Sequence, residues 1–273
     1  MNSLVDYLLE KFNNGHHGDE FYTRLKDIEK ELSKFNFNNK IVYCNCDNPE
    51  FSNFYKYFYD NFNKLGLKKL LATYYSDNPM LYSYDGKNES KTNIKSGDFR
   101  ENGDVMKQCD IVVTNPPFSK GLPIDLVNMC LKYNKDFIFL CKNDWYTRKG
   151  AFDFYKSGKM NIDNVEVGKF EGPNASTKVT CYWYTSFELK KTPITLKKKY
   201  TEEDYQKYKN YDAIEVGAIE NIPKDYNDNM GVSLSFGKYL DRKQFDIIDV
   251  LNKPIGKDGH EYYKRIIIKK ASS

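Results

Sequence analysis

The chain has no stretch approaching about eighteen uninterrupted apolar residues. Its opening MNSLVDYLLEKFNN lacks a basic segment followed by an apolar run. A membrane span and a secretory signal are therefore not expected, and the expected location is cytoplasmic. A second cysteine pair is also missing. Cys44 and Cys46 form C-x-C, whereas Cys109, Cys130, Cys141 and Cys181 stand singly. A structural zinc site needs about four ligands in paired spacings, so no metal is expected, and the thiols read as reduced and mostly buried. Strong charge of one sign is absent too. Lys and Arg number 42 against 38 Asp and Glu, and the net of +4 does not by itself imply a nucleic-acid partner. The richness in Asn, Lys, Tyr, Phe and Ile is what AT-rich codon usage produces, so clustering carries more information than totals. No internal repeat and no long low-complexity linker is present.

Enough apolar material is present for a full core, since 40% of the 273 residues are hydrophobic and 16% aromatic. Helical spacing covers Ser3–Phe12 and Phe21–Phe35, where Leu25, Ile28 and Leu32 recur at three- and four-residue steps. From residue 41 short apolar runs alternate with longer amphipathic ones. Strands are expected at 41–44, 69–75, 109–114 and 136–141, and helices at 51–65, closed by Gly66, and at 122–133. Such alternation of nearly continuous apolar strands with helices predicts a mostly parallel sheet covered on both faces. Beyond Trp145 the pattern changes to strand candidates at 165–167, 179–187, 214–219 and 262–268 without a clear helix. A soft boundary near Lys190 divides an α/β half, 1–189, from a more irregular basic region, 190–273.

The sharpest feature is Asp110-Ile-Val-Val-Thr-Asn115-Pro116-Pro117-Phe118, a buried strand running directly into Asn-Pro-Pro-Phe. Ligands of open α/β sheets sit beyond the carboxyl ends of strands, where this tetrapeptide would lie. Its chemistry suits methylation of an exocyclic amine, whose lone pair is delocalised into the ring. Two acceptors aimed at its hydrogens favour a pyramidal nitrogen and stabilise the positive charge that grows as the methyl arrives. Asn115 offers a side-chain oxygen and Pro116 a carbonyl. Pro116 and Pro117 fix φ and keep Asn115 out of helical geometry, and Phe118 offers a flat face for a base taken out of its duplex.

The strand followed by NPPF is similar to the catalytic motif of class I amino-methyltransferases. Four stretches resemble, more specifically, the EcoRI-type adenine methylase family: DEFYTRLKDIEKEL, VYCNCDNPEFSNFYKYF, SGDFR with DIVVTNPPFS, and MGVSLSFGKYL with YYKRIIIKK. Together they span most of the chain. The resemblance implies a Rossmann-like fold and transfer of a methyl group from S-adenosylmethionine to adenine N6 in a specific double-stranded DNA sequence, with base flipping. It further implies an optional cognate restriction endonuclease as partner.

Roles follow from the resemblance position by position. Asn115, Pro116, Pro117 and Phe118 match the catalytic motif. Asp98 and Phe99 look like the pair that holds the cofactor's adenine, although Asp98 after Gly97 is also what a turn would carry. Asn45, Cys46 and Asp47 occupy the place of the first cofactor loop, here without its usual glycines. Phe21, Tyr22 and Thr23 resemble the segment that closes over the methionine end, while Tyr22 equally suits a core position. Target recognition is expected downstream of NPPF. Arg148, Lys149, Asn174 and Lys178 are candidates for DNA contact, and Lys197–Lys199 for phosphates, which set affinity without sequence. Two further readings stay open: methylation of another planar amino nitrogen, in an RNA base or a protein glutamine, and a catalytically inactive nucleic-acid-binding relative.

Overall fold

The computed structural model describes residues 22–118, 121–171 and 179–271, so the helix expected at Ser3–Phe12 lies outside them. Fourteen strands occur among these residues. In chain order they are β1 (Tyr22–Thr23), β2 (Ile41–Cys44), β3 (Lys69–Ala72), β4 (Met80–Tyr84), β5 (Glu89–Asn93), β6 (Ile111–Thr114), β7 (Asp136–Lys142), β8 (Asn161–Val167), β9 (Phe170–Glu171), β10 (Cys181–Thr185), β11 (Ile214–Val216), β12 (Met230–Ser233), β13 (Phe245–Leu251) and β14 (Arg265–Lys270). The chain divides into two compact units. The first comprises residues 1–142 and 165–185, the second 143–164 and 186–273.

The large sheet has the order β5-β4-β3-β2-β6-β7-β10-β8. Its centre, β3-β2-β6-β7, is parallel. Its flanks are not, because β4 and β5 form an antiparallel hairpin on β3 and β10 runs antiparallel to β7. The sheet is therefore mixed, which corrects the expectation of a mostly parallel one. The physical reason is visible in the segment between β3 and β6. No strand is expected there from the sequence, yet Met80–Tyr84 and Glu89–Asn93 pair as a hairpin whose outer strand, ESKTN, is exposed at every position. Edge strands of this kind avoid apolar side chains because their free backbone edge invites aggregation.

Local chemistry accounts for the central elements. Val42, Tyr43, Cys44, Val112 and Val113 are fully buried, as strands covered on both faces require. The expected helix 51–65 is two helices, Asn53–Asp60 and Phe62–Leu65, broken at Asn61. Ser52 opens the first by accepting from the amides of Phe54 and Tyr55, and Gly66 closes the second in the left-handed region at φ 64°. Phe139 of β7 stacks on Tyr184 of β10 with ring centroids 5.4 Å apart, and the Thr185 hydroxyl donates to the Phe137 carbonyl at 2.9 Å.

In the second unit, β11-β12-β14-β13 form a smaller sheet, parallel at its first junction and antiparallel at the other two. Helix Ala151–Lys156 packs against β13; its apolar pattern is too short to stand out in the sequence. Arg265 meets Glu215 with Nη2 and Oε1 at 2.8 Å, and Tyr208 donates to the same carboxylate.

Candidate active site

Strand order locates the site before any side chain is considered. The chain leaves β2, forms β3 on one side of it, and later forms β6 on the other. Connections diverge at such a point, leaving a crevice at the carboxyl ends of the two strands. Residues 45–52 follow β2 there, and residues 115–118 follow β6.

The loop after β2 turns its polar groups inward. The Asp47 amide donates to the Thr73 carbonyl at 3.2 Å and the Thr73 amide to the Cys44 carbonyl at 3.1 Å, which joins the ends of β2 and β3. The Thr73 hydroxyl donates to the Asn45 carbonyl and lies 2.6 Å from the Tyr43 hydroxyl. The Asp47 carboxyl accepts at Oδ1 from the Ser52 hydroxyl, 2.6 Å away, and at Oδ2 from the Thr114 hydroxyl, 2.7 Å away. Burial pushes this carboxyl up to about 6, and the two hydroxyl bonds only partly offset that effect. The Cys46 thiol is pushed well above its ordinary range by burial, with Asp47 adding to the effect, so it is not poised as a nucleophile.

Asn45 behaves differently. It is 1% exposed, and neither its side-chain oxygen nor its side-chain nitrogen has a hydrogen-bond partner among the described residues. A buried carboxamide left so costs free energy on the order of 1–3 kcal/mol, which a polar partner in the crevice would recover. The Thr23 hydroxyl, also buried, is likewise unpartnered. Thr23 is brought near this loop because β1 pairs with β9 and Asn53 Nδ2 donates to the Thr23 carbonyl at 2.9 Å and to Glu171 Oε2 at 3.2 Å.

The Gly97-Asp98-Phe99 segment packs on the chain following β3. A Cβ on Gly97 would sit 2.8 Å from the Ser76 amide nitrogen and 3.0 Å from Tyr75 Cα, so only glycine permits this approach. Asp98 caps the short helix Phe99–Glu101 by accepting from the Arg100 amide. Its carboxylate also receives the Arg100 guanidinium, with Nε 2.9 Å from Oδ1, and this pairing holds it below the usual carboxylate range. Arg100 reaches on to Asp125 at 3.2 Å. Phe99 is buried.

Asn115 and Pro117 are half-buried and Pro116 is buried, directly beyond β6. Phe118 is 5% exposed, and the Lys142 ammonium lies 5.9 Å from its ring centroid. Arg148 and Lys149 are exposed in the second unit, where Arg148 lies 4.0 Å from Asp144. Phe21, Asn174 and Lys178 lie outside the described residues. Sequence reasoning did not single out Thr114, Ser52 or Arg100. Only Ser52 carried a local signal, a serine ahead of an aromatic helical run.

These features have counterparts among known proteins. The chain matches the family described as "Adenine-specific methyltransferase EcoRI" over residues 9–96, 84–180 and 167–272. It is 35% identical to Type II methyltransferase M.EcoRI of Escherichia coli, an alignment covering 92% of this chain and 93% of that one. It is 33% identical to Type II methyltransferase M.MgeORF184P of Mycoplasma genitalium, with coverage of 86% and 84%, and 33% identical to Type II methyltransferase M.MpnI of Mycoplasma pneumoniae, with coverage of 86% and 83%. No solved structure matches the chain.

Proposed function

The chain belongs to the EcoRI family of adenine-specific methyltransferases, and on that premise we propose how its residues methylate adenine N6 in DNA. The methyl donor is S-adenosylmethionine, which when bound supplies an electrophilic methyl group on a sulfonium sulfur. Phe21, Tyr22, Thr23, Asn45, Cys46, Asp98 and Phe99 would hold it, and Asp47 shapes the same loop through its bonds to Ser52 and Thr114. The observation that carries this reading is the pair of buried groups without a partner among the described residues, the Asn45 carboxamide and the Thr23 hydroxyl, beside the crevice at NPPF. Polar atoms buried without a partner fit a polar ligand, and Gly97 admits backbone approach on the same edge of the sheet.

The Asn115 carboxamide oxygen and the Pro116 carbonyl accept the two hydrogens of adenine N6. They bring the lone pair out of the ring plane and stabilise the charge that grows on nitrogen. The target base is flipped out of the duplex, because N6 inside the stack is inaccessible. It stacks on Phe118. No covalent enzyme intermediate is needed, and positioning supplies most of the rate. The four parallel strands act as a Rossmann-like core, residues 1–189 as the catalytic domain, and residues 190–273, whose strands form the separate smaller sheet, as target recognition. Arg148, Lys149, Asn174 and Lys178 contact the DNA. The Type II names of the relatives support a restriction-modification role, and the same reading places the protein in the cytoplasm beside an endonuclease that reads the same site.

The test is to incubate the protein with labelled S-adenosylmethionine and double-stranded DNA, digest the DNA, and identify the labelled nucleoside. The expected product is N6-methyladenosine in its deoxy form. Label in RNA or in protein glutamine, with none in DNA, would overturn the substrate assignment.

A further inference from the structure

We propose that Thr114 and Asp47 are positioning residues that fix Asn115 in the crevice, an inference that rests on the catalytic reading of Asn115. The register of β6 leads to it. On the β7 side the ladder runs to the strand's last residue, pairing Thr114 with Phe139. On the β2 side it stops two residues earlier, at Val112 opposite Tyr43. The end of β6 therefore has no backbone partner facing the crevice, which is where Asn115 begins. The 2.7 Å bond from the Thr114 hydroxyl to Asp47 Oδ2 spans that gap and replaces the missing rungs.

Both ends of this tie are anchored. Thr114 is fully buried. Asp47 is held on its other oxygen by Ser52, whose hydroxyl in turn accepts from the amides of Phe54 and Tyr55 at 3.1 and 3.2 Å. Thr114 is thereby linked through two side chains to the first turn of helix Asn53–Asp60. On the far side of Asn115, Pro116 confines the backbone to extended geometry. Asn115 is gripped by the anchored Thr114 before it and the proline after it.

Stability alone does not explain the arrangement. Asp47 is 6% exposed, and the bonds to its carboxyl come from neutral hydroxyls. A buried acid without a cationic partner is costly, and an apolar pair of the same shape would hold a strand end more cheaply. Hydroxyl-to-carboxylate bonds are short and directional. They set the angle of a strand end in a way that apolar packing does not, and a catalytic carboxamide depends on that angle.

The experiment compares Thr114→Val, Thr114→Ser, Asp47→Asn and Asn115→Ala in single-turnover methylation of DNA, with the dissociation constant for S-adenosylmethionine measured alongside. Thr114→Val keeps the shape and removes the hydroxyl, so transfer should slow by about ten- to a hundredfold while the cofactor constant stays within about threefold. Thr114→Ser should restore most of the rate. Asp47→Asn should slow transfer similarly, and the double variant should be no slower than the slower single one, because both changes cut one tie. Wild-type transfer in Thr114→Val beside a crippled Asn115→Ala would overturn the positioning role and leave the catalytic reading intact. Normal transfer in Asn115→Ala would overturn both. If Thr114→Val does not fold, Asp47→Asn with its rate and binding constant decides the matter by the same criteria.

Discussion

Two acidic loops of the first unit face their surroundings in opposite ways. Asp47, after β2, is buried on two neutral hydroxyls, and burial raises its carboxyl to about 6. Asp98, after Gly97, is partly exposed on the Arg100 guanidinium, which lowers its carboxyl. The side chain is the same and the direction of the shift is reversed, so environment alone assigns the roles. The buried acid has both carboxyl oxygens bonded to side chains that are themselves buried, which fits the strut role proposed for it. The exposed acid has a partner at the surface that can be traded for a ligand's amino group at little cost, which fits the receptor role proposed for it.

The largest expected effect tests the cost carried by the strut. An acid whose carboxyl titrates higher in the folded protein than in the unfolded chain stabilises the fold at low pH. That contribution is complete below the ordinary value of 3.8 and is lost as pH rises through about 6. Over that interval the loss comes to about 3 kcal/mol. Asp47→Asn carries no charge at any pH, so the variant should gain about 3 kcal/mol on the wild type at pH 7.5, and the gain should vanish toward pH 4. Urea unfolding of both proteins at pH 7.5 and 4.5 measures it. A difference that stays constant with pH, or that favours the wild type as pH rises, would show that Asp47 does not bear the cost of burial. The same substitution is expected to slow methyl transfer, so stability and activity should move in opposite directions at one residue.

The next effect belongs to the receptor. Asp98→Ala should raise the dissociation constant for S-adenosylmethionine by about ten- to a hundredfold, the range of a hydrogen bond to a charged acceptor. Asp47→Asn should leave that constant within about threefold. Titration calorimetry on both variants compares the two loops directly. Equal weakening by both substitutions would erase the distinction drawn between them.

What could be read from the sequence follows the range of each interaction. NPPF after an apolar strand is contiguous, and β6 ends at Thr114 as that pattern implies. Strands β2 and β7 were legible for the same reason: their apolar runs are short, continuous and bounded. The β4–β5 hairpin was not, because Glu89–Asn93 bury nothing and so carry no alternation. Asn61 hid the break in the helix because one asparagine weakens a helix interior by less than about 1 kcal/mol, too little to mark a boundary as glycine or proline would. The tie between Asp47 and Thr114 joins residues 67 positions apart, and no periodicity encodes it. The pairing of Asp98 with Arg100 is local, yet its consequence for the carboxyl depends on exposure, which sequence spacing does not give.

The smallest expected effect tests whether the receptor's present partner is dispensable. The Arg100 side chain is 47% exposed, and a surface ion pair of this kind contributes about 0–1 kcal/mol once water and side-chain entropy are counted. Arg100→Gln should therefore change the unfolding free energy by about 0.5 kcal/mol or less. Its removal also frees Asp98 from competition, so S-adenosylmethionine should bind at least as tightly as to the wild type. The contrast with Asp47 is then complete: stripping the exposed acid of its partner costs almost nothing, whereas cutting the buried acid's link to Thr114 slows the chemistry. Tenfold weaker cofactor binding in Arg100→Gln would reverse that assignment. It would mean that the guanidinium orients Asp98 toward the ligand and belongs to the receptor itself, with Asp125 steadying it from the other side.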